Sequence, residues 1–276
     1  MNIHIAPENY VFYNGVTMVT TIYCNGDVPS EWALVRVDKQ TIDTIADDGQ
    51  TPEWWNNIQQ NGERFDYSYA FCNSWYVYLN PLHPIKTDNA MYMFMGCNVL
   101  KNASNILIHI TNENPNMMYV CANCNSMIKA PIFNFVRAPI VKTYTSMYAS
   151  CYSLESAKVY WGDGTKDPVT ERNSCQNMFF KCWKLKDIDF GEENTGSPTK
   201  LDLSYCKDLT VDSVVSLQKS LLPIPEGSYG TYEIVLATET GENLQTNHPD
   251  ILTGFSEKGW TIEYKTRENT TTESEV

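Results

Sequence analysis

The sequence lacks the features that would place it in a membrane or on a nucleic acid. No stretch of its 276 residues approaches the roughly eighteen consecutive apolar positions that a membrane-crossing helix needs. Positive charge is scarce, with 20 Lys and Arg against 33 Asp and Glu and a formal net charge of −13. Phosphate backbones and anionic lipid surfaces are bound through basic patches, so neither is an expected partner. The opening residues, Met1-Asn-Ile-His-Ile-Ala-Pro-Glu-Asn-Tyr10, contain no basic segment leading into an apolar one. The expectation is a chain without a secretory leader, made in the cytosol with its nine cysteines reduced. Histidine is limited to His4, His83, His109 and His248. No G-x-S-x-G, H-E-x-x-H, Walker or G-x-G-x-x-G motif occurs. These absences point away from an enzyme, and no cofactor or metal is expected.

What the sequence does have is an internal repeat. Aligned on cysteine it reads Met93-Phe94-x-x-Cys97-x-x-Leu100, Val120-Cys121-x-x-Cys124-x-x-Met127, Met147-Tyr148-x-x-Cys151-x-x-Leu154 and Met178-Phe179-x-x-Cys182-x-x-Leu185. Weaker copies flank these, Ser68-Tyr69-x-x-Cys72-x-x-Trp75 before and Asp202-Leu203-x-x-Cys206-x-x-Leu209 after. The copies recur every 24 to 31 residues, and self-similarity at such a period is the signature of a solenoid. Six residues beyond the anchors stand Ala103, Ala130, Ala157 and Ile188, followed two residues on by Ile132, Val159 and Phe190. That alternation indicates a short strand whose inner side chains stack into ladders across units. Cys72, Cys97, Cys124, Cys151, Cys182 and Cys206 are therefore expected as buried rungs of the repeat core, since free cysteine packs as a small hydrophobe.

The M-[FY]-x-x-C-x-x-L unit resembles the BspA-type leucine-rich repeat, and Leu201-Asp-Leu203-Ser-Tyr-Cys206 is similar to the L-x-L-x-x-[NC] core of leucine-rich repeats generally. The resemblance covers about half the chain. It implies an α+β, β-rich fold: a leucine-rich-repeat-like solenoid with an N-terminal β-module and a C-terminal helix and strand cap.

In order, residues 1–64 read as a β-rich attachment or capping module. Tyr10 to Tyr13 and Val16 to Tyr23 are joined by Asn14-Gly15, a strong hairpin signal. Trp32 to Val37 predicts another strand, and Thr51-Pro52 opens a helix closed by Gly62. Residues 65–209 are the repeats. Residues 210–276 form the cap and an acidic tail: a helix from Val211 to Leu222 behind the N-cap Thr210, a strand from Thr231 to Ala237, a short helix opened by His248-Pro249, and a strand at Trp260 to Tyr264. The order of these elements, closing on Lys258-Gly-Trp-Thr-Ile262, resembles the end of BspA-type repeat proteins of bacteriophages and prophages of gut bacteria.

Three constellations invite chemistry. Cys121-x-x-Cys124 has the spacing of half a zinc site, but no second pair follows, and Cys121 falls in the aromatic slot of the repeat. Trp161-Gly-Asp-Gly-Thr-Lys-Asp167 carries two carboxylates, yet lacks the alternate ligands and distant glutamate of a calcium loop, and a glycine turn accounts for it. Trp75, Tyr76, Tyr160, Trp161 and Trp183 lie where the chain leaves the repeat core. Exposed, they would mark sugar or protein contact; buried, they would close the ends of a thin core. Lys129, Ser156, Lys158, Asp187, Asp189, Asp202 and Ser204 are expected on the outward strand face.

The resemblance implies a bacteriophage virion structural protein, a tail-fibre or capsid-decoration component assembled in the host cytoplasm. Its partners would be other virion proteins, with a host-recognition contact to a surface glycan or protein through the repeats, and a homo-oligomer is left open. The alternative is a bacterial cell-surface adhesin of BspA type.

Overall fold

The structure, a computed structural model, describes residues 2–5, 10–13, 18–19, 21–24, 27, 30, 33–36, 65–66, 68, 70–73, 85–104, 106–136, 140–165, 167 and 169–268. Among the described residues it mixes helix and strand, with small parallel sheets and no sheet closed into a barrel.

Near the start, β1 (Asn2–Ile5) pairs antiparallel with β4 (Thr21–Cys24). Strand β2 (Tyr10–Tyr13) lies between β3 (Met18–Val19) and β5 (Ala33–Arg36), antiparallel to both. The hairpin partners expected around Asn14-Gly15 do pair, while the helix expected near Pro52 lies outside the described residues.

From residue 65 the sheets become parallel. Strands β6 (Phe65–Asp66), β7 (Ile85–Asn89), β8 (Leu107–Ile110) and β9 (Ile132–Phe135) form one sheet in that order. Strands β10 (Ser156–Lys158) and β11 (Asp187–Asp189) form another. Single bridges from Asn102 to Lys129 and from Lys129 to Ser156 continue that pairing backwards, so the residue five after each anchor stands beside its counterpart in the next unit. The next residue, Ala103, Ala130, Ala157 or Ile188, points into the core. One expectation of the alternation is corrected here: Ile132 is 47 % exposed, and Phe133 and Phe135 pack inward in its place. The inward Ala130 is followed by a buried Pro131, which shifts the alternation by one residue before β9 begins.

Between strands, each unit makes a tight double turn ending at its anchor. The residue five before the anchor and the residue one before it both adopt positive φ: Tyr92 and Gly96, Tyr119 and Asn123, Ser146 and Ser150, Asn177 and Lys181. Glycine at 96 has a second reason, because a Cβ there would meet the Asn73 side chain at 2.1 Å. Successive turns are joined by backbone bonds running one way. Phe71, Phe94, Cys121 and Tyr148 each donate N–H to the unit that follows, at the carbonyls of Met93, Val120, Met147 and Met178, over 2.8–3.0 Å. The core under the turns is a set of columns, such as Met93, Val120, Met147, Met178 and Leu100, Met127, Leu154, Leu185, all 0–1 % exposed. Each such side chain contributes about 1.5–3 kcal/mol by leaving water.

The C-terminal cap changes what occupies each column. Helix α1 (Val211–Ser220) begins behind Thr210, whose hydroxyl accepts the Ser213 N–H, and lies against β11 where another strand would continue the ladder. The turn column meanwhile leads into a parallel sheet of β12 (Lys200–Leu203), β13 (Glu233–Ala237) and β14 (Thr261–Lys265). Helices α2 (Thr238–Asn247) and α3 (Pro249–Glu257) stand between β13 and β14. The sequence pattern predicts α1, β13, α3 and β14 but not α2, whose TETGENLQTN has one large apolar residue and poor helix formers. Packing forms it instead: Gly241 is buried where a Cβ would sit 2.2 Å from Tyr264.

Candidate functional site

The anchor cysteines are buried hydrogen-bond donors. Cys97, Cys124, Cys151 and Cys182 give their Sγ–H to the carbonyls of Phe71, Phe94, Cys121 and Tyr148 in the preceding unit, at 2.9–3.0 Å. Burial pushes the thiols of Cys121, Cys124 and Cys182 well above the ordinary range and raises Cys151 and Cys206 too. Nucleophiles and metal ligands need the thiolate, which this environment disfavours. Among the described residues no group of three or more His, Cys, Asp or Glu is placed to hold a metal ion.

Cys72 is a correction. In the later units the thiol bonds to the carbonyl three residues before the previous anchor, and Cys97 bonds to Phe71. Phe71 also stacks on Phe94 at 5.2 Å. The first unit is thus in register with Phe71 in the aromatic slot and its anchor at 74, outside the described residues. Cys72 itself is half-buried and off the ladder.

The aromatic candidates do not converge on one site. Trp75 and Tyr76 lie outside the described residues. Trp161, a candidate for exposure, is 1 % exposed: it stacks on Phe190 at 5.9 Å, meets Tyr144 edge-on, and donates Nε1–H to Ser220 Oγ at 3.2 Å. Its loop contains ordinary turns, in which Asp163 Oδ1 accepts the Thr165 N–H and hydroxyl, and Asp167 Oδ1 accepts the N–H groups of Val169 and Thr170. Tyr160 is half-buried, stacked on Phe135 at 4.9 Å, and its hydroxyl is shifted up by burial and by Asp163. Trp183 is the candidate that belongs to a surface cluster. Its ring meets Tyr205 at 5.1 Å, and Phe180 meets Tyr205 at 5.0 Å, both edge-on. Arg267 lies 4.6 Å over the Tyr205 ring and Lys181 Nζ 5.2 Å from Phe180. No protein-family model, curated protein or solved structure matches the chain. Its residues alone carry the functional argument.

A second surface feature is an open groove of about 420 Å³ beside β10, β11 and the start of α1. It is the seam left where a helix follows a strand. Ser213 and Ser216 reach across it and accept the N–H groups of Ile188 and Phe190 at 2.8 and 3.0 Å, replacing the carbonyls of a further strand. On its rim Asp189 pairs with Lys158 at 2.9 Å. Burial raises the Asp189 carboxyl, but Lys158 and the Gly191 N–H outweigh it and hold the group below its ordinary value.

Of the residues expected on the outward strand face, Lys129, Lys158, Asp187 and Asp189 are exposed, while Ser156 and Asp202 are half-buried. Ser204 corrects the expectation at 1 % exposed, because Arg267 crosses over it, donating from Nε to its hydroxyl and from Nη2 to Asp202. The sequence pattern does not single out Arg267, which follows the last strand, or Asn173, a fully buried residue. Asn173 Nδ2 donates to the carbonyls of Val141 and Trp161 while its Oδ1 accepts the Ser197 N–H. A further column is the polar residue eight before the anchor, Asn89, Asn116 or Thr143, which accepts the N–H two residues on and starts each turn. The repeat alignment alone could have found that position, as a column of Asn, Thr and Ser.

Proposed function

We propose that the chain is a bacteriophage virion structural protein whose repeats form a BspA-type leucine-rich-repeat solenoid. Residues 1–64 would attach it to other virion proteins, as part of a tail fibre or capsid decoration, and the repeats would face the host surface. The observation that carries this reading is the one-way backbone ladder between turns spaced 27 and 31 residues apart at Cys124, Cys151 and Cys182. Neighbour-to-neighbour stacking of similar turns builds an extended surface. The anchors serve packing and hydrogen bonding, which supports a role in binding.

The test is peptide mass spectrometry of fractions from the source culture. The chain is expected in purified phage particles at a fixed ratio to the major capsid protein. Its recovery in the cell envelope, with none in particles, would replace this reading with the adhesin.

A further inference from the structure

Three successive units place Tyr152, Trp183 and Lys207 in one row, each directly after its anchor cysteine. Tyr152 is 39 % exposed, Trp183 is half-buried, and Lys184 and Lys207 are exposed. Tyr205 fixes the Trp183 ring, with 71° between the planes, so the indole is oriented before any ligand arrives. Such preorganisation lowers the entropic cost of binding.

Charge sharpens the picture. Residues 65–209 contain thirteen Asp and Glu and thirteen Lys and Arg, whereas residues 1–64 hold nine acids against three bases and residues 210–276 eleven against four. The whole formal charge of −13 therefore resides in the two ends. Around Trp183 the exposed cations are Lys184, next to it in the chain, and Lys207, next to it in the row, whereas Lys181 is buried and Arg267, over Tyr205, is paired with Asp202. A polyanion repelled by both ends of the molecule meets a neutral middle and, at this corner, two exposed lysines against the one exposed acid Asp208.

We propose that the corner built on Trp183 is a docking site for an anionic polysaccharide, with a sugar ring lying on the indole and its carboxylate or sulfate groups meeting Lys184 and Lys207. Aromatic rings bind the apolar faces of sugars, and lysine supplies a charge without demanding one geometry. Three rings at one corner offer far less than the roughly 800 Å² per partner of a stable protein interface. A saccharide fits that scale better than a second protein. The inference deepens the proposed host contact and rests on it, but its test uses purified protein without particles, so failure of the virion assignment would leave this result standing.

The full chain is run in native gels containing polygalacturonate, dextran sulfate or neutral dextran, and its thermal midpoint is recorded for every variant. Retardation is expected with a polyanion and not with dextran. Trp183→Ala should weaken it by about tenfold or more, and Trp183→Tyr should retain much of it. The double variant Lys184→Gln with Lys207→Gln should weaken binding and flatten its dependence on salt. The proposal is overturned by any of three outcomes: no retardation with either polyanion, equal retardation with dextran, or a folded Trp183→Ala protein that binds like the parent. Self-association in light scattering that Trp183→Ala abolishes would assign the corner to a second copy, and would also overturn it.

Discussion

The repeats and the C-terminal cap solve the same problem by different means. Within the repeats, backbone meets backbone: the N–H groups of one turn find the carbonyls of the next because every unit has the same shape. At the cap that sameness ends, and side chains take over. Ser213 and Ser216 supply acceptors that a strand would have supplied to β11. Lys258 Nζ donates to the carbonyls of Gln218, Lys219 and Leu221 and to Asn194 Oδ1, over 2.8–3.0 Å, closing the end of α1. Trp260 Nε1 donates to Leu222 just beyond it. Buried polar groups must be paired, so a repeat needs few special side chains and its end needs many.

The largest test of this contrast is alkaline pH. In the folded state burial holds the thiols of Cys121, Cys124, Cys151, Cys182 and Cys206 protonated above their ordinary range. The unfolded chain releases those protons from about pH 8.5. Between that value and the raised folded values the native state binds more protons, so stability falls as pH rises, by up to about 1.4 kcal/mol per pH unit for each thiol. Denaturant titrations at pH 7, 8.5 and 9.5 should show a loss of several kcal/mol, and a flat profile would remove the thiol ladder as a stabilising feature. Next in size is Phe179→Ala. This side chain is 0 % exposed and stacks on Tyr148 at 5.7 Å, and its truncation should cost about 3–5 kcal/mol in chemical denaturation.

Lys258→Met should cost about 1–3 kcal/mol, and amide exchange should locate the damage at the end of α1 and not in the turns. Uniform loosening of the repeats would contradict a clamp local to the cap. The smallest effect separates two neighbouring tyrosines. Tyr144 donates its hydroxyl to the Tyr160 carbonyl, whereas Tyr148 is buried with no partner for its hydroxyl. Tyr148→Phe should raise stability by about 1 kcal/mol and Tyr144→Phe lower it by a similar amount. Equal signs would show that the Tyr148 hydroxyl is paired in solution.

The parts of the chain that repeat are legible in its sequence, and the ends are obscure. Met93, Phe94, Cys97 and Leu100 are buried as their spacing predicts, because one inward direction recurs every unit. Letter matching misplaces the first copy by two residues, since it prefers Cys72 to Ser74, although the fold aligns on Phe71 and not on the cysteine. Helix α2 escapes because Leu244 alone gives it no apolar period. Trp161 stands where the chain leaves the repeat core, yet Gly196 makes room for its ring: any side chain at 196 would bring a Cβ to 2.8 Å from the indole. Such pairings across 35 residues leave no local pattern. Trp183 is legible as a candidate, while Tyr205 and Arg267, which set its surroundings, come from later in the chain.

The one-way ladder also bears on how the chain is made. Each turn presents backbone N–H groups that its successor accepts, so during synthesis the newest turn has N–H groups that await residues not yet made. A product stopped within the repeats keeps those N–H groups without their partners. The cap, where Ser213 and Ser216 accept the N–H groups of Ile188 and Phe190, is thus also where the stacking stops.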